Sequence, residues 1–197
     1  MSRYGLLDPG TCIPVLECIC SVYRIENAIE FGAGIWSTFS LTRNCKSVTS
    51  IEHNKDWVDV VKNDYSHKNN LNVVHWEKPM NKYLTQNDKT YDLIFIDGKD
   101  RPECLMDSFD RAPIIVCHDT HQDFNWHRVD VPNHYKQLHY TGCKPYVTTI
   151  FWNVGLDLQN QLLDKSNFNH TGTQLDVEYL NDDDIIAVYK KMNKKKK

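Results

Sequence analysis

The chain has 197 residues and a mass of 23.1 kDa, with 41% hydrophobic and 25% charged residues. That length fits one domain, and the composition supplies a core and excludes global disorder. The formal charge of −3 is uneven: residues 190–197 carry six of the 23 basic groups, so residues 1–189 hold 17 basic against 26 acidic groups, a net −9. An acidic body argues against a nucleic-acid partner, because binding a phosphate backbone takes many Lys and Arg contacts. Residues 1–189 are therefore read as a single domain and 190–197 as a solvated, frayed lysine tail. No run approaches the ~20 apolar residues of a membrane span. The first residues lack a basic region followed by an apolar run, so no secretory signal is read. Seven cysteines, none at zinc-finger spacing, read as reduced thiols of an intracellular, cytoplasmic protein.

Apolar residues at 13, 15, 16, 19, 22, 23 and 25 predict a helix from Ile13 to Ile25. Asn27–Phe31 then reads as a short strand ending in Gly32-Ala33-Gly34, and a helix opens at Ser37 with that serine as N-cap. Lys46–Glu52 is a second strand, followed by a helix from Asn54 to Tyr65 capped by Asn54. Leu71–Trp76 is a third strand. Tyr91–Asp97 is the fourth, an apolar run stopped by Asp-Gly. Arg101–Arg111 is a helix with Pro102 in its first turn, and Pro113–Cys117 is a fifth strand. Residues 119–142 are polar, aromatic and irregular. Tyr146–Asn153 and Ile185–Tyr189 read as two further strands, with a weak helix near 156–164 between them. Short strands alternating with helices predict a parallel α/β sheet.

In an open α/β sheet, ligands bind at the carboxyl ends of the strands. Those ends gather Glu30 and Gly32 to Gly34, then Glu52-His53, Trp76-Glu77, Asp97-Gly98 and His118-Asp119. The two glycines allow a tight turn and close approach to a ligand, and the helix after them favours an anion. Glu52 lies 20 residues beyond Gly32, where a carboxylate can accept both hydroxyls of a ribose. Together these features point to a nucleoside-containing cofactor. A dinucleotide site wants a third glycine where this chain has Ser37, which disfavours NAD without excluding it.

Glu30-Phe-Gly-Ala-Gly-Ile-Trp-Ser-Thr38 resembles the E-x-G-x-G motif of class I S-adenosylmethionine (SAM) dependent methyltransferases, nearest to the small-molecule and sugar O-methyltransferase branch. Val48–Trp57 is similar to that branch's second motif. Tyr91–Gly98, with Arg101 and Cys104, resembles its fourth-strand motif, and Ile114–Thr120 its fifth. The four motifs stand in register over residues 26–120. The resemblance implies a Rossmann-like mixed seven-strand sheet in the order 3-2-1-4-5-7-6. It implies that Glu30, Gly32, Ala33 and Gly34 wrap the methionine part of SAM, and that Ser37 and Thr38 sit where a helix start receives its carboxylate. Glu52 would hold the ribose, with His53 beside the adenine. Trp76 either lines the adenine pocket or is a core aromatic, and Trp36 carries the same ambiguity. Asp97 is expected to face both cofactor and acceptor.

The reaction implied is methyl transfer to a hydroxyl of a small molecule, with a sugar or glycan preferred. Two routes for the hydroxyl proton stay open. His118 can act as a base, or Asp97, His118 and Asp119 can hold Mg²⁺ or Mn²⁺. The competing readings are a nucleic-acid methyltransferase and a non-catalytic SAM or NAD binder. The polar loop from His121 to His134 is a candidate substrate lid.

Overall fold

A computed structural model describes residues 12–120, 129–143 and 146–163. The elements are α1 (Ile13–Val22), β1 (Asn27–Phe31), α2 (Ile35–Asn44), β2 (Ser47–Glu52), α3 (Lys55–Asp64), β3 (Leu71–His75), α4 (Lys82–Gln86), β4 (Leu93–Ile96), α5 (Arg101–Ser108), β5 (Ile114–Cys117), β6 (Lys136–Cys143), β7 (Tyr146–Trp152) and α6 (Leu158–Leu163). They form one seven-stranded sheet in the order β3-β2-β1-β4-β5-β7-β6. The first five strands of that row are parallel, and β7 runs antiparallel to both of its neighbours, β5 and β6.

The strands are apolar on both faces because helices cover both. In β1, β4 and β5 alternate residues divide cleanly. Ala28, Leu93, Phe95, Ile114 and Val116 join the buried residues of α1, Leu41 of α2 and Leu158 of α6. Ile29, Phe31, Ile94, Ile96, Ile115 and Cys117 point the other way, onto Leu84 of α4 and Cys104 and Leu105 of α5. Each fully buried Val, Leu, Ile or Phe side chain is worth about 1.5–3 kcal/mol. Opposed layers of this kind fix the register, since a one-residue slip would turn each strand's set to the wrong face. Asp92 steers the entry to the sheet: its Oδ2 accepts the backbone N–H groups of Glu26 and Asn27, both at 2.8 Å.

The strand order agrees with expectation, but the identity of the last two strands does not. Tyr146–Trp152 lies beside β5, and the edge strand comes from Lys136–Cys143, inside the stretch read as irregular. Ile185–Tyr189, expected as the last strand, lies outside the described residues, as do His121, His127 and the lysine tail. Ser37 is not the N-cap of α2. Gly34 takes that position with extended backbone, and Asn54 caps α3 as expected, accepting from the N–H groups of Asp56 and Trp57. No helix among the described residues is long and apolar enough to cross a membrane.

Candidate active site

The loop after β1 is shaped by direct contact between two backbones. Gly32 has φ +92°, in the left-handed region, and a Cβ there would lie 2.6 Å from both Cα and N of Gly98. Gly98 is equally constrained, with a Cβ falling 2.7 Å from Met80 Cε and 3.0 Å from Gly32 N. Both positions need glycine because the exits of β1 and β4 touch. Gly32 N–H donates to Ile51 O and Asp97 N–H to Phe31 O, each at 2.8 Å, which ties three strand ends together.

Beneath this turn lies Glu30, fully buried. Its Oε1 accepts from Ser37 Oγ at 2.5 Å, and its Oε2 from Thr38 Oγ1 at 2.6 Å and Ser50 Oγ at 2.5 Å. Ser37 and Thr38 therefore turn their hydroxyls inward to Glu30. Burial is the largest influence on this carboxyl and outweighs the three hydroxyl donors; with a small push from the charge of Asp97, its pKa rises to about 7. Ala33 is pinned from outside by Trp57, whose Nε1 donates to Ala33 O at 2.5 Å.

Glu52 ends β2 with its side chain almost wholly enclosed. Its Oε1 accepts the Asn54 N–H at 2.7 Å and faces His53 Nδ1 at 2.8 Å. His53 is about one-third exposed, and its carbonyl accepts from His75 Nε2 at 3.1 Å. Trp76 is half-buried, its Nε1 bonded to Pro79 O at 3.2 Å and its ring edge-on to Tyr83. Trp36 is 53% exposed on the first turn of α2.

The exits of β4 and β5 bring together Asp97, His118 and Asp119, with ligand atoms all within 4.8 Å of one another. His118 Nδ1 lies 3.1 Å from Asp97 Oδ1 and 3.7 Å from Asp119 Oδ2, and its side chain is only 1% exposed. A fourth member, Arg101, enters from the first turn of α5. Its Nη2 donates to Asp97 Oδ1 at 2.7 Å and to Asp97 O at 3.1 Å, and stands 3.7 Å from Asp119 Oδ2. Burial alone would raise the Asp97 carboxyl. The His118 hydrogen bond and the charges of His118 and Arg101 together reverse that and hold it below its ordinary value. Asp100 and Asp119 have φ of +55° and +59°, a conformation that Asp tolerates better than most residues. Thr120 then anchors the chain to β7, its Oγ1 2.7 Å from Thr149 Oγ1.

The structure brings the residues named from the sequence together at the strand ends, and adds the contacts that Arg101 and Gly98 make there. The Asp97 to Arg101 spacing, four residues into a helix start, was the available signal for the ion pair. His134, by contrast, does not join the site. It bonds to Asp110, in the turn that leads into β5, at the opposite end of the strands.

No protein-family model matches this sequence, and no curated protein matches it. Solved structures do share its architecture. An O-methyltransferase from Bacillus cereus in complex with S-adenosylhomocysteine (SAH) is 17% identical with a TM-score of 0.58, over 74% of this chain and 80% of that one. An rRNA methylase from Streptococcus thermophilus is 12% identical with a TM-score of 0.56, over 70% of this chain and 93% of that one. The fold is that of the class I SAM-dependent methyltransferases. Spermidine synthase from Thermotoga maritima is also similar, at 13% identity and a TM-score of 0.59, over 92% of this chain and 71% of that one. At such identities the methyltransferase fold carries the architecture, and the reaction has to be argued from the site.

Proposed function

We propose that this chain binds SAM at the exits of β1 and β2 and transfers its methyl group to a hydroxyl of a small molecule, a sugar or glycan before a phenol. The observation that carries the reading is the continuous site across the strand ends. The glycine turn at Gly32, the enclosed carboxylate of Glu52 and the Asp97–His118–Asp119 cluster all lie along one edge of one sheet. Support comes from the SAH held by the Bacillus cereus O-methyltransferase of the same fold. The rRNA methylase offers a nucleic-acid alternative, but a body of net −9 is poorly suited to a polyanion.

SAM supplies an activated methyl and a neutral leaving group. The acceptor oxygen forms the new O–C bond as the S–C bond breaks, and the hydroxyl proton must go to the protein. Asp97 fixes the imidazole of His118 through Nδ1, so base chemistry falls to Nε2. Asp119 completes the negative wall against which the positively charged cofactor is placed. Asp97 thereby faces cofactor and acceptor together. Glu30 serves this reading as the clamp beneath the glycine turn, since its oxygens are engaged by hydroxyls from α2 and β2. In this reading no Mg²⁺ or Mn²⁺ takes part, because a guanidinium already stands between the carboxylates.

A methyl-release assay on a panel of sugars and phenols tests the proposal. SAM-dependent product with a sugar acceptor, unchanged by chelator, is the expected result. Methylation of RNA in preference to every small acceptor would contradict it.

A further inference from the structure

The cluster at the β4 and β5 exits holds two carboxylates and a histidine, which is a donor set for a divalent ion, and it also holds a cation of its own. We propose that Arg101 is the resident cation of this site and excludes a metal from it. The guanidinium reaches residues from two separate parts of the chain, Asp97 at 2.7 Å and Asp119 at 3.7 Å, so it is more than a local pair at a helix start. Its location also runs against the helix dipole. Arg101 opens α5, and a helix N-terminus disfavours positive charge. The carboxylates account for the placement, and the side chain is 89% enclosed.

Arginine stays protonated at every working pH and matches carboxylates with a rigid planar fork. An ion bound to Asp97 Oδ1 and Asp119 Oδ2 would sit against that fork. It would also have to take His118 Nδ1 from its hydrogen bond, and imidazole is a poor ligand for Mg²⁺, which wants six oxygens. The charge count agrees. The guanidinium already offsets one of the two carboxylates, which leaves place beside it for no more than a singly charged cation such as the sulfonium of the proposed function. A divalent ion added to Arg101 would turn the site positive and repel it. Arg101 is thus a positioning residue: it holds Asp97 and Asp119 together at Nδ1 of the imidazole without needing to touch the acceptor.

The test is Mn²⁺ binding to the full chain, followed by the paramagnetic resonance of the free ion, and it does not depend on the methyl-transfer reading. The wild-type protein should show no saturable site at the cluster. Arg101→Met keeps the aliphatic stem and removes the charge. It should gain one site, at least about tenfold tighter than anything in the wild type, and Arg101→Met/Asp119→Asn should lose it again. A purely structural role for Arg101 would lower stability without creating a metal site. If Arg101→Met does not fold, Arg101→Gln carries the same test, since it keeps a donor toward Asp97. One equivalent of Mn²⁺ bound by the wild type and lost in Asp119→Asn would overturn the proposal. So would a folded charge-removed variant that still binds none.

Discussion

At the exits of β1 and β2 the chain is held by backbone contact and neutral hydroxyls. Gly32 rests on Gly98, and Ser37, Thr38 and Ser50 gather on one buried carboxylate. At the exits of β4 and β5 it is held by charge, with two carboxylates, a guanidinium and an imidazole in one cluster. The first arrangement is a turn fixed by close backbone approach above a buried, fully engaged carboxylate. The second concentrates charge at one point of the sheet edge. Under the proposed function the first is the binding half of the sheet edge and the second its reacting half, and substitutions should separate them.

The largest separation is expected on the reacting side. His118→Ala/Asp119→Ala should cut turnover by roughly 10²–10⁴-fold, the usual worth of a positioned acid or base, while SAM affinity changes little. Parallel kinetics and titration on the folded variant check this. Near-normal turnover would show that the reacting hydroxyl lies elsewhere on the edge.

The next effect concerns pH and has opposite signs in the two halves. Glu30 is raised from 4.5 to about 7. Between those values the folded chain keeps a proton that the unfolded chain releases, so this group makes stability fall as pH rises from 4.5 to 7. The full penalty above that range is about 3 kcal/mol. Glu30→Gln cannot ionise and should lack that decline, which denaturant titrations at a series of pH values will show. Asp97 is lowered below 3.8. Its contribution is present above that value and is lost only as pH falls through the lower folded pKa. Acid therefore weakens the reacting half in a window below the one in which it favours the binding half. An unchanged slope between pH 4.5 and 7 in Glu30→Gln would show that Glu30 is not held in the way its burial implies.

The two halves also differed in how far the sequence revealed them. Strands β1 to β5 were legible because each is a short apolar run closed by polar or turn residues. The candidate site residues followed from those strand ends, where ligands gather in open α/β sheets. What sequence missed was set by tertiary contact. Ser37 has the right chemistry for a helix cap, but Glu30, buried seven residues earlier, takes its hydroxyl, and the extended backbone of Gly34 serves instead. α4 spans only five residues and buries only Leu84, too little for a period to show. β6 is an edge strand whose exposed Gln137 and His139 read as loop, and pairing with β7 makes it a strand. Arg101 was visible as a residue of the fourth-strand motif. Its reach to Asp119 was not, because that ion pair spans 18 positions in sequence and closes only when β4 and β5 pair.

The central claim is that the binding half holds SAM through Glu52 and the glycine turn. Calorimetric titration of SAM and of NADH into the wild type and Glu52→Ala tests it most directly. Charge-assisted hydrogen bonds of this kind are worth about 1.5–3 kcal/mol, so Glu52→Ala should bind SAM roughly tenfold or more weakly, while the wild type binds SAM and not NADH. A folded Glu52→Ala protein with unchanged SAM affinity, or a wild type that prefers NADH, would contradict the account.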